Sequence, residues 1–210
     1  MSDNTFDLDN IEIEDNLTIS KLHEIIENVE LLKQSYLETI HADNLTDITQ
    51  QQYLGFLMHC HMFYFRPTKC LYKYYPGISN DNHKTRMYDD ILLYLLCEYY
   101  IYMCTQYNKV ANIYGFSAFT GIDDGIIVSW ESKENQRPGA YNLVKRLRKA
   151  YETSLENGAQ SGKNPVGFIA ALNHRFGWSA DNKPTLTVNI NRSQEQIMST
   201  FDSSLIENKS

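Results

Sequence analysis

Four groups of residues in this 210-residue chain have types and spacings that could do chemistry. The first is cationic: Lys145, Arg146, Arg148 and Lys149 crowd one stretch, with Lys133 and Arg137 just before it. Lysine and arginine so clustered suit phosphate oxygens, and neutralising phosphates releases counterions, so binding of this kind weakens steeply with salt. The second is His59-Cys60-His61 with Cys70, which contains zinc-ligand types. Adjacent residues rarely converge on one ion, however, and no paired ligand spacing accompanies them. The third, Gly158-Ala-Gln-Ser-Gly162-Lys163-Asn164, superficially resembles a phosphate-binding loop. It has three residues between its glycines where four are needed, lacks Ser or Thr after the lysine, and follows a helical pattern. It reads as a linker. The fourth is the pair of doublets Asp89-Asp90 and Asp123-Asp124, which could hold magnesium. Each sits at a helix start, where carboxylates are favoured by the helix dipole alone. Signatures of nucleophilic or metal-dependent catalysis are not found, so the expectation is a protein that is not an enzyme and takes neither cofactor nor metal.

The elements that position these groups are mostly helical. Ile19, Leu22, Ile25, Ile26, Val29, Leu32 and Tyr36 recur at steps of three and four, predicting a helix from about Ser20 (as N-cap) to Ile40. A second runs from about Thr49 to Phe65 and is stopped by Pro67, and Tyr74–Asn82 is turn chemistry. A third, from about Arg86 to Tyr107, is apolar nearly all round and belongs at the centre of the core. Its tyrosines, Tyr94, Tyr99, Tyr100, Tyr102 and Tyr107, could stack on bases, but beside Leu92, Leu95, Leu96 and Ile101 they read as packing.

Two short helices fit Tyr114–Thr120 and Asp123–Glu131, hinged at Gly121, with Ile113, Phe116, Phe119, Ile122, Ile127 and Trp130 as packing faces. The basic helix follows from about Gly139 to Asn157, with Leu143, Leu147, Ala150 and Tyr151 on one side and Gly158 as its stop. Asn164-Pro165 starts a last helix through Arg175, where Trp178 follows as a further packing residue. Beyond it Thr185–Ile190 alternates polar and apolar residues and is the one strand pattern in the chain. A lone strand needs partners, so Leu186, Val188 and Ile190 are candidate oligomerisation residues.

The net charge of −7 conceals a segregation. Residues 1–60 carry twelve Asp or Glu against Lys21 and Lys33, whereas residues 132–175 carry eight Lys or Arg against Glu134, Glu152 and Glu156. An acidic arm on a basic module suits polyanions or basic partners. Ile91–Cys104 is too short to span a membrane and carries Glu98, so no membrane partner is expected. Residues 1–16 are acidic and aperiodic, unlike a secretion signal. The four cysteines lack CxxC spacing and are expected to be reduced and buried. The implied organisation is an acidic tail (1–16), an N-terminal helical region (17–108), a helix-turn-helix and basic-helix module (109–180), and a C-terminal strand and tail (181–210). The fold class is mainly α: a helix-turn-helix unit within a helical bundle, plus a short C-terminal β-strand for assembly.

Two phrases in residues 108–180 carry a resemblance. Ile113, Gly115, Ser117, Gly121, Ile122, Asp123, Trp130 and Glu131 form the first. Asn164, Pro165, Gly167, Ile169, Leu172, Asn173, Phe176, Gly177 and Trp178 form the second and more specific one. Together they resemble the small subunits of tailed-bacteriophage terminases, DNA-packaging proteins with a helix-turn-helix. The resemblance implies a homo-oligomeric ring in the host cytoplasm that binds double-stranded viral DNA. The ring would hand that DNA to a terminase large subunit that hydrolyses ATP and cuts. It also implies that C-terminal strands complete the ring. The chain departs from the family where recognition-helix cations are usual and Asp124, Gly125, Ile126 and Ile127 stand instead. Phosphate contact is therefore expected from Lys133, Arg137, Lys145, Arg146, Arg148 and Lys149. The alternatives are a structural protein of the virion's head-to-tail neck, or a helix-turn-helix regulator of transcription.

Overall fold

The computed structural model describes residues 16–75, 85–135, 137–160 and 165–177. It is mainly helical, with one small two-stranded sheet. The helices are α1 (Asn16–Ile40), α2 (Gln50–Cys60), the single turn α3 (Arg66–Thr68), α4 (Asp90–Gln106), α5 (Ile113–Thr120), α6 (Asp124–Ser129), α7 (Pro138–Gln160) and α8 (Pro165–Phe176). The strands are β1 (Tyr72–Tyr75) and β2 (Thr85–Tyr88). The chain divides into two compact units, one through Ser154 and one from Leu155, so the division falls inside α7. The Thr185–Ile190 strand, the acidic tail and Trp178 lie outside the described residues, as do the assembly candidates Leu186, Val188 and Ile190.

In the first unit α4 is the core element. Leu92, Leu93, Leu95, Leu96, Cys97, Tyr99, Tyr100, Met103 and Cys104 are all buried, leaving only a strip from Ile91 through Tyr94, Glu98 and Tyr102 to Thr105 half-buried or exposed. Around it pack α1 through Leu22, Ile25 and Val29, α2 through Tyr53, Phe56 and Leu57, and α7 through Leu143, Val144 and Leu147. The expected central place of this nearly all-round apolar helix is what the structure has. Its start differs: Arg86 lies in β2, and α4 begins at Asp90 with Asp89 as N-cap, accepting from the Leu92 amide at 3.2 Å. The Asp89 carboxylate, 1% exposed, also faces Lys73 Nζ at 3.2 Å.

The hairpin is the largest departure from the sequence pattern, which placed no strand before residue 185. β1 and β2 are antiparallel, pairing Tyr72 with Tyr88 and Lys73 with Met87. Four-residue strands of this composition show no long alternation, and an isolated hairpin is marginal in water. Tertiary contact stabilises this one. Tyr72 stacks on Tyr88 with ring centres 4.9 Å apart, and Tyr88 meets the buried Trp130 edge-on at 5.8 Å.

Other boundaries move for local reasons. Helix α1 already runs from Asn16, so Ser20 is interior, because buried Thr18 extends the Leu22–Ile25–Val29 face. Pro67 does not simply stop α2. The chain passes through a π-helical turn, His61–Phe65, in which the Arg66 amide reaches back to the His61 carbonyl. A proline ring collides with the carbonyl four residues before it in a regular helix, and a widened turn relieves that conflict. α3 then ends at Lys69, which adopts a left-handed φ of 52°. In the second unit α7 continues past Gly158 to Gln160. That glycine has no stopping role there: Phe168 of α8 lies over it, and a Cβ would stand 2.7 Å from the ring.

The α5–α6 pair is placed by two glycines. The Tyr100 hydroxyl bonds both backbone groups of Asn112 at 3.2 Å, and Asn112 caps α5 through the Gly115 amide at 2.8 Å. A Cβ on Gly115 would sit 2.1 Å from that hydroxyl. Gly121 ends α5 at φ 74°, and its missing Cβ would stand 1.9 Å from His61 Cε1. Asp123 then caps α6, accepting from Gly125 and Ile126 at 2.9 and 3.3 Å. Both Asp doublets thus begin helices.

Two outcomes follow from this packing. Gly121→Ala meets both a left-handed backbone and the His61 ring, and should cost on the order of 2 kcal/mol or more in urea unfolding. The second concerns alkali. Burial raises the thiols of Cys60, Cys97 and Cys104, the last to about 12, and the hydroxyls of Tyr53, Tyr99 and Tyr100. Folded values above the ordinary 9.0 and 10.0 mean that only the unfolded chain loses these protons as pH rises. Stability is therefore full below those values and falls above them. A pH titration should show helical circular dichroism lost together with the appearance of tyrosinate absorbance.

Candidate nucleic-acid interface

Helix α7 carries the cations expected to meet phosphate. It forms because Ala140, Leu143, Val144, Leu147 and Ala150 repeat at helical spacing and are buried, which turns the charged residues outward. Four of the six candidates are already held by carboxylates. Arg146 makes a bidentate pair with Glu98 of α4, at 2.6 and 2.9 Å. That hydrogen bonding raises the Arg146 pKa against the opposing effect of burial. Arg148 pairs with Glu131, its Nη2 standing 2.7 Å from Oε2. Lys149 reaches Glu152 at 3.1 Å. Arg137 pairs with Asp90 and lies over the Trp130 ring at 5.2 Å, which ties it to the hairpin–tryptophan cluster.

Lys145 extends over Tyr141 at 5.1 Å, and Lys133 is half-buried at the end of the Trp130–Ser132 turn. Neither has a carboxylate within ion-pair distance among the described residues. The arrangement matters for binding. A phosphate approaching Arg146 or Arg148 must displace a carboxylate, so it releases fewer counterions than the count of cations suggests. Helix α6 does not compensate. Ile127 is buried, Ile126 and Val128 are each 41% exposed, and Asp123 is committed to the cap.

A second cationic place escaped the sequence reading. Arg66 and Lys69 are exposed at the two ends of α3, and neither has a carboxylate partner among the described residues. They line a cavity of about 190 Å³ together with His61, Tyr72, Tyr88 and the turn Thr120–Ile122. The signal was Arg66-Pro67-Thr68-Lys69, in which the proline was read as a helix stop and the flanking charges passed unused.

The histidine–cysteine cluster is not assembled as a metal centre. Cys60 is fully buried, with burial raising its thiol. The His59 ring packs on Tyr36 and Phe63 at 5.6 and 4.5 Å, and His61 turns toward Gly121. Among the described residues no group of three or more His, Cys, Asp or Glu could hold a metal. No described helix is long and apolar enough to cross a membrane. The tyrosines of α4 do not form a stacking platform: Tyr99 and Tyr100 are buried in the core. An apolar stripe is exposed instead along α2 and the π turn, where Leu54, Met58, Met62 and Phe63 are 36–60% exposed. No protein-family model, curated protein or solved structure matches the chain.

The difference between paired and free cations is measurable. A double-mutant cycle on Arg146→Gln and Glu98→Gln should give a coupling of about 1 kcal/mol in urea unfolding, since the pair is bidentate and partly shielded. The same cycle on Lys149 and Glu152 should give a few tenths at most.

Proposed function

We propose that this chain is a non-catalytic viral DNA-packaging component of the small terminase subunit kind. It binds double-stranded viral DNA, assembles into a homo-oligomeric ring, and presents DNA to an ATPase and nuclease large subunit. The observation that carries the reading is the order of its two phrases. Ile113–Glu131 and Asn164–Trp178 flank a helix that is apolar on one side and cationic on the other. Support also comes from the local geometry at Gly121, where a three-residue turn joins two short capped helices. The exposed Leu54, Met58, Met62 and Phe63 stripe is a surface of the sort that assembly covers.

A second reading, a structural protein of the virion's head-to-tail neck, is favoured by one observation. Four of the six candidate cations are neutralised within the chain, which suits a protein that packs against protein more than one that grips a polyanion.

Mobility shift of a duplex across a salt series, with mass measurement of the assembly, separates the two. The packaging reading expects an oligomer whose log affinity falls with log salt at a slope of roughly −2 to −3, matching the few cations left free. An oligomer with no salt-sensitive duplex affinity, found stoichiometrically in purified particles, would replace it with the neck reading.

A further inference from the structure

We infer that the corner formed by the π turn and α3 is a phosphate-binding pocket, built by Arg66, Lys69 and His61 against the α5–α6 turn. Its occupant is a backbone phosphodiester of duplex DNA. The inference rests on the packaging reading for the source of the phosphate, but its chemistry stands on the corner itself.

Charge is the first argument. The described residues lining the cavity include two cations and a histidine and no carboxylate. On α7, by contrast, most cations already have acidic partners. A larger cavity of about 430 Å³ between the starts of α4 and α7 is charge-balanced, because Arg137 and Asp90 face each other in it. Only the smaller one presents unmatched positive charge.

The second argument is an unused polar atom. His61 Nδ1 is buried against Gly121 and has no hydrogen-bond partner. A buried nitrogen left unsatisfied is costly, and such an atom calls for a reason. An oxyanion in the adjoining cavity supplies one. The stacked Tyr72 and Tyr88 form another wall. At about 190 Å³ the space is several times the roughly 30 Å³ share of a liquid water, enough for a phosphate group.

The third argument is placement. Gly121, the hinge of the two short helices, lines the same cavity. A backbone phosphate there sits beside the turn, and contacts of that kind fix the register of a protein on a duplex without reading its bases. Helix α6, which has no cation, needs no base contacts for this role. Lys69 is held there by its left-handed backbone, a conformation unfavourable for a non-glycine residue.

The test uses the 210-residue chain, Arg66→Gln/Lys69→Gln, and Lys145→Gln/Lys149→Gln as the comparison. Both pairs are exposed, so folding should survive, and circular dichroism checks it. Arg66→Glu/Lys69→Glu provides a stronger version of the same change. The corner variant should lower duplex affinity at low salt by on the order of tenfold and flatten the salt slope by roughly two. The α7 variant should do less. Inorganic phosphate should shift the His61 ring resonances in the unmodified protein and not in the corner variant, with His61→Gln identifying the signal. A protein that binds duplex with equal affinity and slope in both forms of the corner overturns the inference and leaves the packaging reading intact. Duplex binding lost only in the α7 variant does the same. A protein that binds no duplex, yet shows the corner-dependent phosphate shift, sinks the packaging reading and supports the pocket as an anion site. No shift with phosphate and no duplex binding removes both.

Discussion

Burying α4 on all but one narrow face is the constraint that organises the first unit. A helix with only a narrow solvent strip must have most of the polar groups it carries met from within the protein. Tyr100 does so by spanning the backbone of Asn112, and in doing so it fixes where α5 begins. Asp89 does so by capping its own helix and facing Lys73 at the foot of the hairpin. Glu98, the one carboxylate inside the apolar run, does so by holding Arg146 of α7. The core helix therefore sets the fold and also takes a cation out of the outward-facing surface.

That transfer alters how the basic helix should be understood. A cluster of arginines and lysines on a helix is usually a phosphate-facing surface or a solvated one. Here Arg146, Arg148 and Arg137 reach carboxylates from α4, the Trp130 turn and the α4 start, so they clamp elements together. Their long apolar stems and bidentate heads suit that work better than lysine would. Among the described residues unmatched charge sits at Lys133, Lys145 and the α3 corner, where Gly121 and His61 bring the two-helix turn against the π segment.

Much of the helical layout was legible in the residues. The three–four spacing of Leu22, Ile25 and Val29 is a property of one segment and needs no neighbour to be read. The same holds for the Asp doublets at helix starts and for Gly121, since a left-handed turn requires glycine locally. The hairpin was not legible. Tyr72 and Tyr88 are sixteen positions apart in the chain, and neither their stacking nor the contact of Tyr88 with Trp130 leaves a local pattern. The π turn at His61–Phe65 was hidden for another reason. A proline signals that a helix must change, but not whether it stops or widens.

The amino-acid sequence by itself determined most of the helical segments, the Gly121 hinge, and that a cationic stretch lies between two short helices and a last one. Those are short-range facts, settled by spacing along one chain. Only the tertiary structure decided which cations are free. An ion pair such as Arg146–Glu98 joins residues forty-eight positions apart, and whether they meet depends on how α4 and α7 pack. Charge availability is a property of neighbours in space, and a linear pattern of lysines and arginines does not contain it.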